Sequence, residues 1–406
     1  MSNLLSSHKI ALQRIGAFLC ALCVFFPYAS SAYAVVGVND QVNGKVYSDY
    51  HIKSSLMPDV SMDEGILVTK DGRVLWSREA TTRHHIASIT KVMTAIVAIE
   101  NAKPTDIMTV PEVSTEVGES SASLKRGEKM PLKDLLGALL VKSGNDAALA
   151  IAINIGGDVD TFVGMMNKKA KELGMTNTHF DNPHGLDSDT HYSCARDVSI
   201  MSRYALQNKT IREIVSSKLY KFSDATNTHK LPNTNLLLWK YQGAIGTKTG
   251  WTDKAGYCLS AAANRDGVEL YAITLGTSTE LARFSESIKL LDFGYDHYRK
   301  QEIAVAGSQI GSAKVKDYPN KYVPGVVERD VTIHVLDFAG DITRVVKTST
   351  VKAPIKKGDT IGVVQFIQDK KMIASVPLVA KEDVHKPFIL LQPIFWIIQV
   401  VRSAFH

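Results

Sequence analysis

The sequence predicts an α+β fold followed by a small all-β domain. Strand-like runs stand at both ends of roughly residues 40–300, and apolar residues at helical spacing fill the stretch between them. After about residue 300, short alternating segments separated by turn signals take over. A chain of 406 residues has room for two such domains. With 45% hydrophobic and 22% charged residues and no low-complexity tract or repeat, it is not disordered by default.

Residues 1–34 are read as an exported signal peptide. Lys9 and Arg14 form a positive start, Ile15 to Phe26 is an apolar run, and Ala32-Tyr33-Ala34 gives a small-x-small cleavage pattern. An apolar run this short fits a leader better than a membrane span. Losing Lys9 and Arg14 lowers the net charge from +6 to +4, which slightly favours an anionic cell surface and argues nothing for nucleic acid. Cys20 and Cys23 leave with the leader, so their C-x-x-C spacing has no redox meaning. The remaining pair, Cys194 and Cys258, is too sparse for a disulfide framework and is expected as two buried thiols, with a bridge as the alternative.

The mature chain opens with a hairpin, Gly65 to Val68 and Val74 to Trp76 around an Asp71-Gly72 turn. Ser88 to Glu100 carries Ile89, Val92, Met93, Ile96, Val97 and Ile99 at helical spacing. Leu135 to Val141, Ala147 to Ile153 and Val163 to Leu173 follow as helices, the last stopped by Gly174. Ala244 to Thr249, Cys258 to Ala263 and Leu270 to Gly276 then read as strands, and Ser285 to Phe293 as a closing helix.

Beyond residue 300, Val331 to Val335, Arg344 to Val351, Ile361 to Ile367 and Met372 to Val379 suggest a small β-sandwich. The last segment, Phe388 to Val401, is apolar apart from Gln392, Pro393 and Gln399. It is short for a span and reads as an interfacial amphipathic helix, with Gln392, Gln399, Ser403 and His406 as its polar stripe. A tail packed on the β domain is the alternative. The expected division is 1–34 signal peptide, 35–300 main α+β domain, 301–385 β-sandwich and 386–406 membrane anchor.

Three short strings carry the chemistry: Ser88-Ile89-Thr90-Lys91, Ser143-Gly144-Asn145 and Lys248-Thr249-Gly250. A serine hydroxyl is a weak nucleophile at neutral pH and needs a base within hydrogen-bond reach. Ser88 and Lys91, three apart on a helix, share a face, and Lys91 serves as that base if burial or a neighbouring cation neutralises it. Lys248 is the expected cation. Taken alone, each string has an ordinary reading: a capping serine with a solvated lysine, a helix–helix turn, an edge-strand lysine. The apolar neighbours of Lys91 argue against the first.

In the functional reading Ser143 relays a proton between Lys91 and the leaving group. Asn145 bonds the substrate's peptide carbonyl or holds Lys91. Lys248 and Thr249 bind a substrate carboxylate, and Gly250 lets the strand lie against the substrate. The backbone amides of Ser88 and Trp251 are the expected oxyanion hole. No metal or other cofactor is expected, since His184, His191 and Cys194 lack a zinc pattern.

Beyond the three strings, Ala87 to Thr94, Ser143 to Ala147, Asn182-Pro183-His184-Gly185-Leu186-Asp187, Ala195-Arg196-Asp197 and Lys248 to Thr252 with Ala255 to Cys258 share one family's wording. The chain resembles the D-alanyl-D-alanine carboxypeptidases of the low-molecular-mass penicillin-binding protein type over nearly its whole length. Ile86 departs from it, since many relatives have proline there. The resemblance implies an α+β, β-lactamase/transpeptidase-like catalytic domain, an antiparallel sheet with a helical subdomain, plus a small C-terminal all-β domain. It also implies a hydrolase that removes the terminal D-alanine of peptidoglycan stem pentapeptides through a Ser88 acyl-enzyme. Arg283 matches a family arginine that helps hold the carboxylate. β-Lactams are expected to acylate Ser88, and the enzyme is expected at the outer face of the cytoplasmic membrane, held through its C-terminal helix. Arg196 and His184 are read as structural, with His184 and Asp187 as a loop hydrogen bond or a ligand pair.

Three other readings compete. A DD-endopeptidase cutting peptidoglycan cross-links uses the same residues. A class A β-lactamase needs a glutamate-bearing loop that has no clear counterpart here. A non-catalytic wall-binding scaffold predicts loss of Ser88, Lys91 or Lys248, and all are present.

Overall fold

The computed structural model describes residues 37, 39–223, 228–316, 318, 320–386, 397 and 401. The expected leader, and the expected anchor beyond residue 386 apart from positions 397 and 401, lie outside the described residues.

A seven-stranded sheet runs in the order Lys45–Val46, Gln41–Val42, Val74–Arg78, Glu64–Thr69, Val268–Thr277, Gly256–Arg265, Ala244–Thr252, and every pairing in it is antiparallel. Both faces of the sheet are covered, and the alternation of side chains sorts residues between them. Ile66, Val68 and Ile273 join a core with Val92, Ile96, Leu135, Ile151 and Phe162 from the helical subdomain. Leu67, Leu259, Leu270 and Ala272 face the other way, against Phe284, Leu290 and Leu291 of the helix Glu280–His297. A strand buried on both faces reads as a continuous apolar run, as Glu64–Thr69 does after its first two residues.

The helices Leu132–Leu140, Asn145–Gly156 and Val159–Glu172 stand near their expected places, and Gly174 closes the last at φ 75°. Ser88 differs from expectation. Ala87–Thr90 is a 3₁₀ turn, and the α-helix proper is Lys91–Asn101. Ala195–Ala205 and Lys209–Val215 are further helices that the sequence reading did not assign, the first mixing Ala195, Val198 and Met201 with buried polar residues.

From residue 298 to residue 386 the described chain is strand, bridge and turn without helix. Tyr298–Ala304 pairs with Val331–Leu336, and a five-stranded sheet runs Gln309–Lys314, Tyr322–Val326, Lys371–Ala380, Thr360–Gln368, Thr343–Thr348. Its core holds Val323, Val364, Phe366 and Leu378. The expected strand from Arg344 ends at Thr348, and Val351 makes only an isolated bridge with Val315. At the turn between Thr360–Gln368 and Lys371–Ala380, Asp369 accepts hydrogen bonds from Lys45 of the N-terminal hairpin, Asn43 in its turn and Tyr50 of the 3₁₀ turn that follows. Cys194 and Cys258 are buried free thiols.

Candidate active site

Ser88 sits in the 3₁₀ turn between the buried residues Ile86, Ala87 and Ile89, one turn before the helix that begins at Lys91. Ala87 adopts φ 46°, a left-handed conformation that costs a non-glycine residue about 1–3 kcal/mol. The packing around the turn over-determines it: a Cβ on Gly185 would lie 1.9 Å from Ala87 O. That contact, with Gly185 at φ 89°, admits only glycine there.

Lys91 is fully buried. Its Nζ donates to Ser88 Oγ at 2.6 Å, Asn145 Oδ1 at 2.7 Å and the His184 carbonyl at 2.7 Å. Two of these partners can only accept. A neutral Lys91 therefore keeps its two N–H bonds on Asn145 and His184 and turns its lone pair to Ser88, the one partner with a proton to give. Burial, and then the Lys248 ammonium, push the Lys91 amine well below its usual basicity, against the opposing pull of Glu119 and Asp146.

Ser143 takes φ 68° in the tight turn between two helices, where Gly144 N donates to Ala138 O. It is buried, yet Lys91 is not among its hydrogen-bond partners in the described residues. Asn145 is fixed on three sides: Oδ1 faces Lys91, Nδ2 donates to Gly118 O at 2.8 Å, and its backbone N–H donates to Ser120 O at 2.8 Å.

Lys248, Thr249 and Gly250 lie on the edge strand Ala244–Thr252, which passes beside the Ser88 turn. A Cβ on Gly250 would meet Ile86 O at 2.8 Å and Ser88 N at 3.3 Å, so glycine lets the two backbones approach. Lys248 is buried, with Nζ donating to Thr249 O at 3.0 Å. Burial, then the Arg283 guanidinium, lower its pKa to about 7. Thr249 Oγ1 shares a 2.8 Å hydrogen bond with Thr234 Oγ1. Arg283 donates to Gly250 O at 3.2 Å and Glu280 at 2.9 Å, and its guanidinium lies 5.4 Å from the Tyr257 ring centroid. Trp251 is 46% exposed, beside Tyr257. Lys248 on the strand and Arg283, reaching it from the helix Glu280–His297, are two buried basic groups that can receive a carboxylate, while the serine–lysine pair beside them can supply a nucleophile.

The sequence reading did not single out the His184 carbonyl, Thr234, or the 118–124 loop held by Asp146. A backbone carbonyl leaves no mark on residue type, so composition and spacing are silent on the first. The expected direct pairing of His184 with Asp187 is not observed. His184 Nδ1 accepts from Leu186 N, while Asp187 accepts from Thr252 Oγ1 at 2.7 Å and from Lys254 N. Burial, then Lys91, lower the His184 pKa to about 3, so the ring is neutral. His191 is likewise lowered to about 4 by burial and bonds Thr90. Among the described residues no group of three or more His, Cys, Asp or Glu could hold a metal ion, and no single helix is long and apolar enough to cross a membrane.

A two-faced antiparallel sheet with a serine–lysine pair beside its edge strand defines the class of penicillin-interacting serine peptidases. The chain belongs to the D-alanyl-D-alanine carboxypeptidase family, whose pattern residues 51–279 match. Residues 298–386 match the C-terminal domain of penicillin-binding protein 5. The D-alanyl-D-alanine carboxypeptidase DacF of Bacillus subtilis is 34% identical over 333 residues, covering 79% of this chain and 85% of the relative. DacA of Escherichia coli is 32% identical over 358 residues, 83% and 87% of the two chains. Among solved structures, penicillin binding protein 5 from Haemophilus influenzae superposes with TM-score 0.62 at 31% identity, covering 81% of this chain and 99% of that one. DacD from Francisella tularensis gives TM-score 0.62 at 27% identity, covering 81% and 94%. The protein is a serine-type D-Ala-D-Ala carboxypeptidase, with the peptidoglycan stem peptide as its substrate class; penicillin binding is characteristic of the family.

Proposed function

We propose that Ser88 is the nucleophile and Lys91 its base. The observation that carries this is the 2.6 Å contact between Lys91 Nζ and Ser88 Oγ in a fully buried setting that disfavours the ammonium. Lys91 takes the Ser88 proton as Oγ attacks the carbonyl carbon of the penultimate D-alanine. The backbone amides of Ser88 and Trp251 receive the developing oxyanion. Lys248, Thr249 and Arg283 hold the terminal carboxylate, with Gly250 giving the substrate backbone room. Asn145 keeps Lys91 oriented. Collapse of the intermediate breaks the peptide bond, and the departing amine takes a proton delivered through Ser143. The products are free D-alanine and a Ser88 ester, which water then hydrolyses. A β-lactam follows the first half of this course, and its ring-opened amine stays attached.

The same reading assigns residues 1–34 to export, 35–300 to catalysis, 301–385 to a β-sandwich spacer and 386–406 to a peripheral anchor on the outer face of the cytoplasmic membrane. Ile397 and Val401, helical and four residues apart, are 53% and 50% exposed, which supports an apolar face turned outward. A version lacking residues 387–406 should leave the membrane and stay active; membrane retention would overturn the anchor.

The test of the chemistry is D-alanine release from a stem pentapeptide by the wild-type protein and by Ser88→Ala. Release by the first and none by the second is expected. Release by both would remove Ser88 from the nucleophile role.

A further inference from the structure

We propose that Asp146 is a positioning residue that sets the basicity of Lys91 through the 118–124 loop; the inference rests on the serine–lysine reading above. Asp146 is 2% exposed and lies in the first turn of the helix Asn145–Gly156, where the helix dipole favours a negative charge. Its Oδ2 accepts from Ser121 Oγ at 2.7 Å and Leu124 N at 3.2 Å; Oδ1 accepts from Ala122 N at 3.0 Å and Ala147 N at 2.9 Å. Four donors converge on this one buried carboxylate.

Apart from Asp146, the loop is tied to this helix by the two hydrogen bonds that Gly118 O and Ser120 O accept from Asn145. Of residues 118–124 only Ala122 and Leu124 are buried, and Glu119 and Ser123 sit in left-handed conformations at φ 65° and 61°. Gly144 reflects the same lock. A Cβ there would meet Asp146 Oδ1 at 2.4 Å and Ala122 Cβ at 3.0 Å, so the glycine in Ser143-Gly144-Asn145 makes room for the Asp146–loop contact.

The loop in turn fixes Asn145. Gly118 O and Ser120 O, on either side of Glu119, accept the Asn145 side-chain and backbone N–H groups. With Nδ2 so engaged, Oδ1 must face Lys91. The charged or titratable groups that face Lys91 are Lys248 from the edge strand, Glu119 from the loop, Asp146 from the helix and the neutral His184 from the 182–187 segment. Releasing the loop frees the amide to turn and admits water to Lys91, which raises its pKa.

The direct electrostatic effect has the opposite sign. The Asp146 charge raises the Lys91 pKa, so its removal with the loop intact lowers it. The direction of the change therefore separates positioning from charge.

The experiment is the second-order rate of penicillin acylation against pH, per competent molecule by active-site titration, with Tm recorded. Asp146→Asn presents an amide N–H₂ to the loop's donors. It should acylate about 10- to 100-fold more slowly, with the acid limb of the profile moved to higher pH. Ser121→Ala, which removes one loop donor, should move the same way by about fivefold, and decides alone if Asp146→Asn does not fold. Asp158→Ala, which uncaps the next helix at its Thr161 contact, should lower Tm and leave rate and profile unchanged. An acid limb moved to lower pH, or a wild-type rate and profile with only Tm reduced, would overturn the proposal. Absence of any penicillin adduct on the wild type would overturn it together with the serine–lysine reading.

Discussion

Lys91 Nζ stands 2.6 Å from Ser88 Oγ, and Ser88 is the only one of its three partners able to give up a proton. The pair works only while Lys91 can be neutral. Lys91→Arg keeps the positive charge and removes the lone pair, because a guanidinium does not deprotonate in a protein. Acylation by penicillin should fall about 10²- to 10⁴-fold, measured by stopped-flow with a fluorescent β-lactam.

Glu119 raises the Lys91 pKa through its charge alone, across an exposed position. Glu119→Gln removes that charge, so Lys91 loses its proton at lower pH. The acid limb of the acylation profile should move down by a fraction of a pH unit, because solvent screens an exposed carboxylate.

Lys248 has its pKa lowered to about 7. As pH rises through that value the free enzyme loses the ammonium that attracts a carboxylate. A bound carboxylate restores it by favouring the charged form. Hence kcat/KM for D-alanine release should show a descending limb near pH 7 that is weaker in kcat. A substrate ending in an amide should lack that limb.

Gly250→Ala places a methyl 2.8 Å from Ile86 O and 3.3 Å from Ser88 N, both backbone atoms that cannot rotate away. The edge strand must move from the serine turn. Acylation should fall about 10²-fold with a modest change in Tm, since such displacements cost positioning more than packing.

Much of this site is legible in the sequence because its side chains announce their chemistry. Buried Lys91, Asn145 and Lys248 are brought together beside the half-buried Ser88, and the apolar neighbours of Lys91 foretell its burial. The supports are harder to read. The His184 and Gly118 carbonyls act through backbone atoms that any residue could supply. Asp187 pairs across 65 residues with Thr252, a distance at which local spacing says nothing. In the fold, the helix Ala195–Ala205 escaped because it buries Asp197, Ser199 and Ser202, which blur the apolar stripe. Ser88 falls in a 3₁₀ turn because the chain tightens against Gly185, a contact invisible in helical periodicity.

The most direct test of the account is tandem mass spectrometry of the penicillin-treated protein, locating the adduct by residue. The account predicts one equivalent of penicilloyl ester on Ser88, absent from Ser88→Ala. An adduct on any other residue, or on Ser88→Ala as well, would contradict it.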